Sequence, residues 1–159
     1  MRPATSADHA AIRAITDAAF GGPAESRIID GVRAEGAALV ELVAEAGGDV
    51  VGHVLFSRMT VTPERFIAGL GPVSVRPDRQ GGGHGAALCR AGIEAVRALG
   101  VEAAVVLGHP AYYPRFGFSA EAARPIASPY AGSPAFMAME LKTGALAAPL
   151  KLDYPAAFS

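Results

Sequence analysis

The chain has 159 residues, 51% of them hydrophobic and 18% charged, with a formal net charge of −1. That length predicts one domain over residues 1–159, and that composition excludes a disordered chain. The near-neutral balance, with Lys142 and Lys151 the only lysines, excludes a basic nucleic-acid surface. A lone cysteine, Cys89, cannot form an internal disulfide. No apolar run reaches the ~18 residues of a membrane span, and MRPATSADHAAIRAI lacks the apolar block of a signal peptide. A cytoplasmic protein is therefore expected.

Residues 1–4 could form a short strand. A first helix begins at Thr5, with Asp8 three residues on as in a capping box, and Ile12, Ile15, Ala19 and Phe20 recur at helical spacing. Gly21-Gly22-Pro23 ends it. A second helix carries Ile28, Ile29 and Val32 on one face and closes at Gly36. Residues 38–45 (ALVELVAE) and 50–61 (VVGHVLFSRMTV) read as strands joined by a hairpin turn at Ala46-Gly47-Gly48-Asp49. Thr62-Pro63-Glu64-Arg65 is a further turn. A third strand covers residues 68–75, and a helix with Leu88, Gly92, Ala95, Val96 and Leu99 on one side covers residues 84–99.

Residues 101–107 (VEAAVVL) form a strand, 111–116 a short helix, and Phe118 begins a further strand. Residues 125–134 read as a loop and 135–141 as a strand. The Ala/Pro-rich tail to Ser159 is expected to pack on the surface. Strands and helices in this order predict an α/β mixed sheet with helices on its faces.

One stretch is out of the ordinary. In PVSVRPDRQGGGHGA four glycines fill five positions at the mouth of the third helix. A glycine-lined helix entrance exposes several backbone N–H groups in one arc, where they and the helix dipole favour an anion. A Walker loop would need Gly-Lys-Ser/Thr, and no lysine is near. A dinucleotide fingerprint can be laid on Gly81, Gly83 and Ala86. Five residues then separate strand from glycines, and the next strand ends Val106-Leu107-Gly108-His109 without the required acid.

Gln80-Gly81-Gly82-Gly83-His84-Gly85, after Val75-Arg76-Pro77, resembles the acyl-CoA loop of the GNAT superfamily of N-acetyltransferases. Tyr112-Tyr113-Pro114-Arg115-Phe116-Gly117-Phe118 resembles that family's second element, and LGHPAYYPRFGF is similar to its bacterial YhbS-like branch. The resemblance implies a GNAT-like fold, with a central, mostly antiparallel mixed sheet flanked by helices on both faces. It also implies a single acetyltransferase domain over residues 1–159.

For the site, the resemblance implies that the backbone of Gln80, Gly81, Gly82, Gly83, His84 and Gly85 holds the pyrophosphate of acetyl-CoA. The strand at Val73, Ser74 and Val75 would pair with the pantetheine arm and polarise the thioester carbonyl. Tyr113 would protonate the departing thiolate. Arg79 could add charge near the phosphates. The reaction would be direct acetyl transfer to an amine. No residue declares itself as the base: Glu41, Glu45, His53 and His109 are candidates, each with a structural reading beside it.

Phe20, Arg27 and Tyr130 are candidate linings of an acceptor pocket. Cys89 sits on an apolar helix face and reads as a core residue rather than a nucleophile. The four histidines lack metal-ligand spacing, so no metal is expected. Dimerisation is common among such relatives, which makes a homodimer one expectation. A non-catalytic acyl-CoA-binding or regulatory module on the same fold is the alternative, and a nucleotide-binding domain a distant third.

Overall fold

The hydrophobic pattern of the chain resolves into one large sheet, one small sheet and three helices in the computed structural model, which describes residues 1–159. The elements are β1 (Arg2–Pro3), α1 (His9–Phe20), α2 (Ala24–Ala34), β2 (Ala38–Ala46), β3 (Asp49–Arg58), β4 (Thr60–Thr62), β5 (Ile67–Val75), α3 (His84–Ala98), β6 (Ala103–Leu107), β7 (Ile126–Ala127), β8 (Phe136–Glu140) and β9 (Leu150–Asp153). The large sheet runs β1-β2-β3-β5-β6-β8, and the small one β4-β9-β7. In the large sheet only β5 and β6 are parallel, joined through α3 as parallel neighbours must be.

Strand alternation puts the helices on both faces of this sheet. Ala44, Val54, Phe56, Ala68 and Leu70 pack with Leu88, Cys89, Ile93 and Val96 of α3. Val43 and Leu55, one residue out of step, pack with Ile12 of α1 and with Ile29 and Val32 of α2. Gly92 lets α3 lie close, because a Cβ there would run into the Phe56 ring. The capping box at the chain start forms as the sequence predicts. The Thr5 amide donates to Asp8 Oδ2 at 2.7 Å, while Arg2 grips the same carboxylate and holds its pKa well below the usual range. The β2–β3 hairpin turns on Gly47 and Gly48, both at positive φ (59° and 84°), the pair of angles that such a two-residue turn requires.

Four expectations need correction. The strand read over residues 50–61 is two strands: β3 ends at Arg58, and β4 leaves the large sheet to pair with β9. Met59 marks the break, its side chain filling the space over Gly69. Phe118 does not open a strand. It is a buried plug, followed only by an isolated bridge from Ser119 to Ala138 on the outer edge of β8. The tail does more than pack on the surface: β9 is the central strand of the small sheet, with Leu150 and Leu152 buried. The loop expected over residues 125–134 contains the two-residue strand β7, which pairs with β9.

The α1/α2 face also encloses a polar seam. Arg33 donates twice to Glu41, Nε to Oε1 at 2.8 Å and Nη2 to Oε2 at 2.9 Å. His53, with no exposed surface, donates from Nε2 to Glu41 Oε2 at 2.8 Å, the carboxylate being an acceptor only. Burial alone would raise the Glu41 carboxyl, but the hydrogen bonds from His53 and Arg33 outweigh it and hold the pKa at about 2. A group depressed from 4.5 to about 2 contributes stability that is full above pH ~4.5 and fades as pH falls towards 2. Glu41→Gln should therefore lower stability at neutral pH by about 2–3 kcal/mol, since Arg33 is left poorly paired in a largely buried place. It should also flatten the loss of stability between pH ~4.5 and ~2. Urea denaturation across that range measures both.

Candidate active site

The parallel pairing of β5 with β6 stops early. It runs from Ile67↔Ala103 to Leu70↔Val106, and beyond Leu70 the two strands part. Residues 71–75 of β5 therefore have a neighbour on the β3 side only. On that side the Arg76 amide donates to Val51 O at 2.7 Å. Antiparallel alternation then turns the backbone of Ser74 towards β3, and the amides of Val73 and Val75 towards the gap. The Ser74 side chain is buried against α1, Oγ to Thr16 Oγ1 at 3.1 Å.

The glycine loop stands at one end of this gap. Gly81 and Gly83 adopt positive φ (82° and 85°), which a side chain resists, and Gly83 is the residue before the first turn of α3. The first amide of that stretch with a backbone acceptor is that of Ala87, which donates to Gly83 O at 3.0 Å. The six amides of residues 81–86 have none. Gln80 braces the loop by donating from Nε2 to Val75 O at 3.1 Å. The hollow formed here has a volume of about 380 Å³. Arg79 and Arg115 line it, as do Tyr112 and His84, and no carboxylate does. Donor groups at a helix N-terminus with two cations and no acid make a site for a polyanion. The sequence pointed to Arg79. It gave no sign of Arg115, which a hydrogen bond from Nε to Tyr112 O at 2.8 Å turns back over the Tyr112 ring.

At the other end the parted strands open into a second cleft of about 480 Å³. Its floor includes Leu70, Gly71 and Pro72 of β5 and Val106 and Leu107 of β6. Tyr113 forms part of its wall, in a 3₁₀ turn (Tyr113–Phe116) packed edge-on to Tyr112 and Phe118, with ring centroids 5.1 and 6.1 Å away. Gly108 makes room for it, since a Cβ there would collide with its ring. Burial, with small contributions from Cys89 and Tyr112, pushes the Tyr113 phenol up to about 12, so its proton stays on at neutral pH.

Tyr112 and Tyr113 thus face different hollows: Tyr112 lines the glycine-loop hollow and Tyr113 the cleft. Phe20, Tyr130 and His109 also reach the cleft, while Arg27 is exposed and does not. Glu25, at the junction of the first two helices where an acceptor is expected to enter, lines it as well, as do Tyr154 and Phe158 of the tail, which the sequence did not mark.

The remaining candidates fall elsewhere. Glu41 and His53 are engaged with each other and Arg33, and line neither hollow. Glu45 is exposed and paired with Arg2. Cys89 is fully buried under α3, and burial pushes its thiol up to about 12, which leaves no thiolate to act as a nucleophile. No group of three or more His, Cys, Asp or Glu is placed to hold a metal ion, and no helix is long and apolar enough to cross a membrane.

Comparison with known proteins agrees with this geometry. The model of the acetyltransferase (GNAT) family matches residues 10–118. The uncharacterized N-acetyltransferase YjhQ of Escherichia coli K12 is 38% identical over 116 residues, which cover 70% of this chain and 64% of YjhQ, under two thirds of that relative's length. Among solved structures, the E. coli GNAT family N-acetyltransferase YhbS in complex with CoA superposes with a TM-score of 0.91 at 30% identity, over 99% of this chain and 89% of that one. A GNAT family acetyltransferase from Brucella melitensis in complex with acetyl-CoA gives a TM-score of 0.83 at 36% identity, over 99% and 96%.

Proposed function

The chain belongs to the GNAT acetyltransferase family, and on that premise we propose that it is one acetyltransferase domain that moves the acetyl group of acetyl-CoA directly to a primary amine. The observation that carries this reading is the open edge of β5, with one hollow at each end. Six unpaired amides stand at one end of the open edge of β5, and a protonated tyrosine stands at the other.

In this reading the amides of residues 81–86 hold the donor's pyrophosphate, with Arg79 and Arg115 beside it. The Val73 and Val75 amides hold the pantetheine arm along the gap, and one of them stabilises the charge that develops on the thioester oxygen. Ser74, between them, serves by fixing the strand to α1 and β3. The acceptor arrives as an ammonium ion and loses one proton to solvent. Its nitrogen then forms a bond to the carbonyl carbon and gives up a second proton, and the C–S bond breaks. The leaving sulfur takes the Tyr113 hydroxyl proton, which the phenol regains from solvent.

The donor half is tested by titration calorimetry of the purified chain with acetyl-CoA. A micromolar to low-millimolar Kd is expected, and absence of binding at millimolar ligand would sink the proposal. The relatives that bind CoA and acetyl-CoA in their crystals support this outcome. A second reading, a non-catalytic acyl-CoA-binding module, draws on one observation: Glu41 and His53, two of the base candidates, are withdrawn from the cleft. Thiol release over a panel of amines separates the two, since the module binds the donor and turns nothing over.

A further inference from the structure

Six carboxylates in this chain are not exposed: Asp8, Asp17, Glu25, Asp30, Glu41 and Glu102. Five have a hydrogen-bonding partner. Asp8 takes Arg2 and Thr5, Asp17 takes Ser26, Asp30 takes Arg13 and Arg33, Glu41 takes Arg33 and His53, and Glu102 takes the Phe66 amide. Glu25 alone makes no hydrogen bond or ion pair, and it lines the 480 Å³ cleft beside Tyr113. Its place in the first turn of α2 suits the helix dipole. That accounts for an acid at the position, and leaves unexplained why it is half-buried and without a partner facing this cleft.

The rest of the lining narrows what could meet it. Apart from His109 no basic side chain reaches the cleft, so an acceptor bearing a carboxylate or phosphate would find no lysine or arginine to pair with. The wall across from the strands is aromatic. Tyr130, Tyr154 and Phe158 stand in successive edge contacts, with centroids 5.3 and 5.4 Å apart. The Tyr154 hydroxyl is buried without any hydrogen-bond partner in the protein. A single acid on an apolar and aromatic surface is complementary to one ammonium group on a hydrophobic body.

Resting on the acetyltransferase reading above, we infer that the acceptor is a hydrophobic monoamine, alkyl or arylalkyl and free of acidic groups, whose ammonium is received by Glu25. The residue sets specificity: it collects the charged form from water and holds the nitrogen in the cleft into which the donor's acetyl group is delivered. Tyr130, Tyr154 and Phe158 seat the body.

The experiment compares three probes on the whole chain with saturating acetyl-CoA, read by thiol release. They are phenethylamine, hexylamine and phenylalanine, the last sharing the phenethyl body and adding a carboxylate. The two simple amines should exceed phenylalanine in kcat/KM by at least about 100-fold. Glu25→Gln should raise the KM for phenethylamine about tenfold or more and leave acetyl-CoA affinity within about twofold. Calorimetry of phenethylamine into the CoA-bound protein should show the same loss without any turnover. Glu25→Asp, which keeps the charge, should recover part of it, and an unchanged Tm certifies both folds.

Equal or better use of phenylalanine overturns the inference, as does an unchanged phenethylamine KM and Kd in Glu25→Gln. Tight acetyl-CoA binding with none of the hydrophobic amines bound or acetylated overturns this inference and leaves the donor reading standing. Failure to bind acetyl-CoA removes the underlying reading instead.

Discussion

Gly83→Val should weaken acetyl-CoA binding by about 100-fold while the protein stays folded. Gly83 holds φ at 85° with nothing within 4 Å of where its Cβ would sit, so the difficulty is conformational and not a clash. A β-branched residue resists that angle, at a cost of about 1–3 kcal/mol, and the loop re-forms with its amides turned aside. Each hydrogen bond to a charged group contributes about 1.5–3 kcal/mol. Loss of two such bonds removes at least about 3 kcal/mol, which is two orders of magnitude in Kd. The loop is exposed, so the thermal midpoint should move little. Gly82→Ala is the control. Gly82 has no positive φ, and its Cβ would meet Arg79 O at 3.5 Å and the His84 ring at 3.6 Å, ordinary contacts. Its Kd should stay within about threefold by calorimetry. A Gly83→Val protein that binds acetyl-CoA as well as the parent removes the loop from the donor site.

Tyr113→Phe carries the second large effect: kcat should fall by about 100-fold or more, the usual contribution of a placed general acid. Acetyl-CoA affinity should stay within about twofold, because the ring remains and its packing on Tyr112, Phe116 and Phe118 is untouched. A fall in kcat without a change in donor affinity identifies a group that acts in the transition state. Tyr112→Phe, facing the glycine-loop hollow and not the cleft, should change kcat by less than about threefold. Single-turnover thiol release with an amine that is turned over measures both. Equal rates for Tyr113→Phe and the parent assign the ring a packing role alone.

What the sequence made readable was local. The turn at Gly47-Gly48, the cap at Thr5 and Asp8 and the glycine mouth of α3 each depend on neighbours within a few residues, and each is present. The places where expectation and structure part are set by distant partners. VVGHVLFSRMTV is β-branched or apolar along most of its length, and only β9, some ninety residues later, decides that residues 60–62 belong to another sheet. Phe118 has the hydrophobicity of a strand residue, but only Ser119 beside it meets the sheet, in a single bridge to Ala138 of β8. The same limit applies to the site. Tyr113 sits in a contiguous motif. Glu25 is an ordinary first-turn acid until three-dimensional packing leaves it alone beside a cleft. Tyr154 and Phe158 follow a strand that was itself hidden in an Ala/Pro-rich tail.

The small sheet has a consequence for how such a protein can diversify. The segment matched by the family model ends at residue 118, and it contains the glycine loop, the open edge of β5 and Tyr113. Tyr130, Tyr154 and Phe158 all come later, carried by the connection between β7 and β8 and by the chain after β9. Substitutions in that later stretch can reshape the far wall of the cleft and leave the glycine loop, the open edge of β5 and Tyr113 untouched. In the proposed reading, the groups that handle the donor and the aromatic wall that seats the acceptor's body lie on consecutive lengths of one polypeptide, free to drift at different rates, while Glu25 stays with the first.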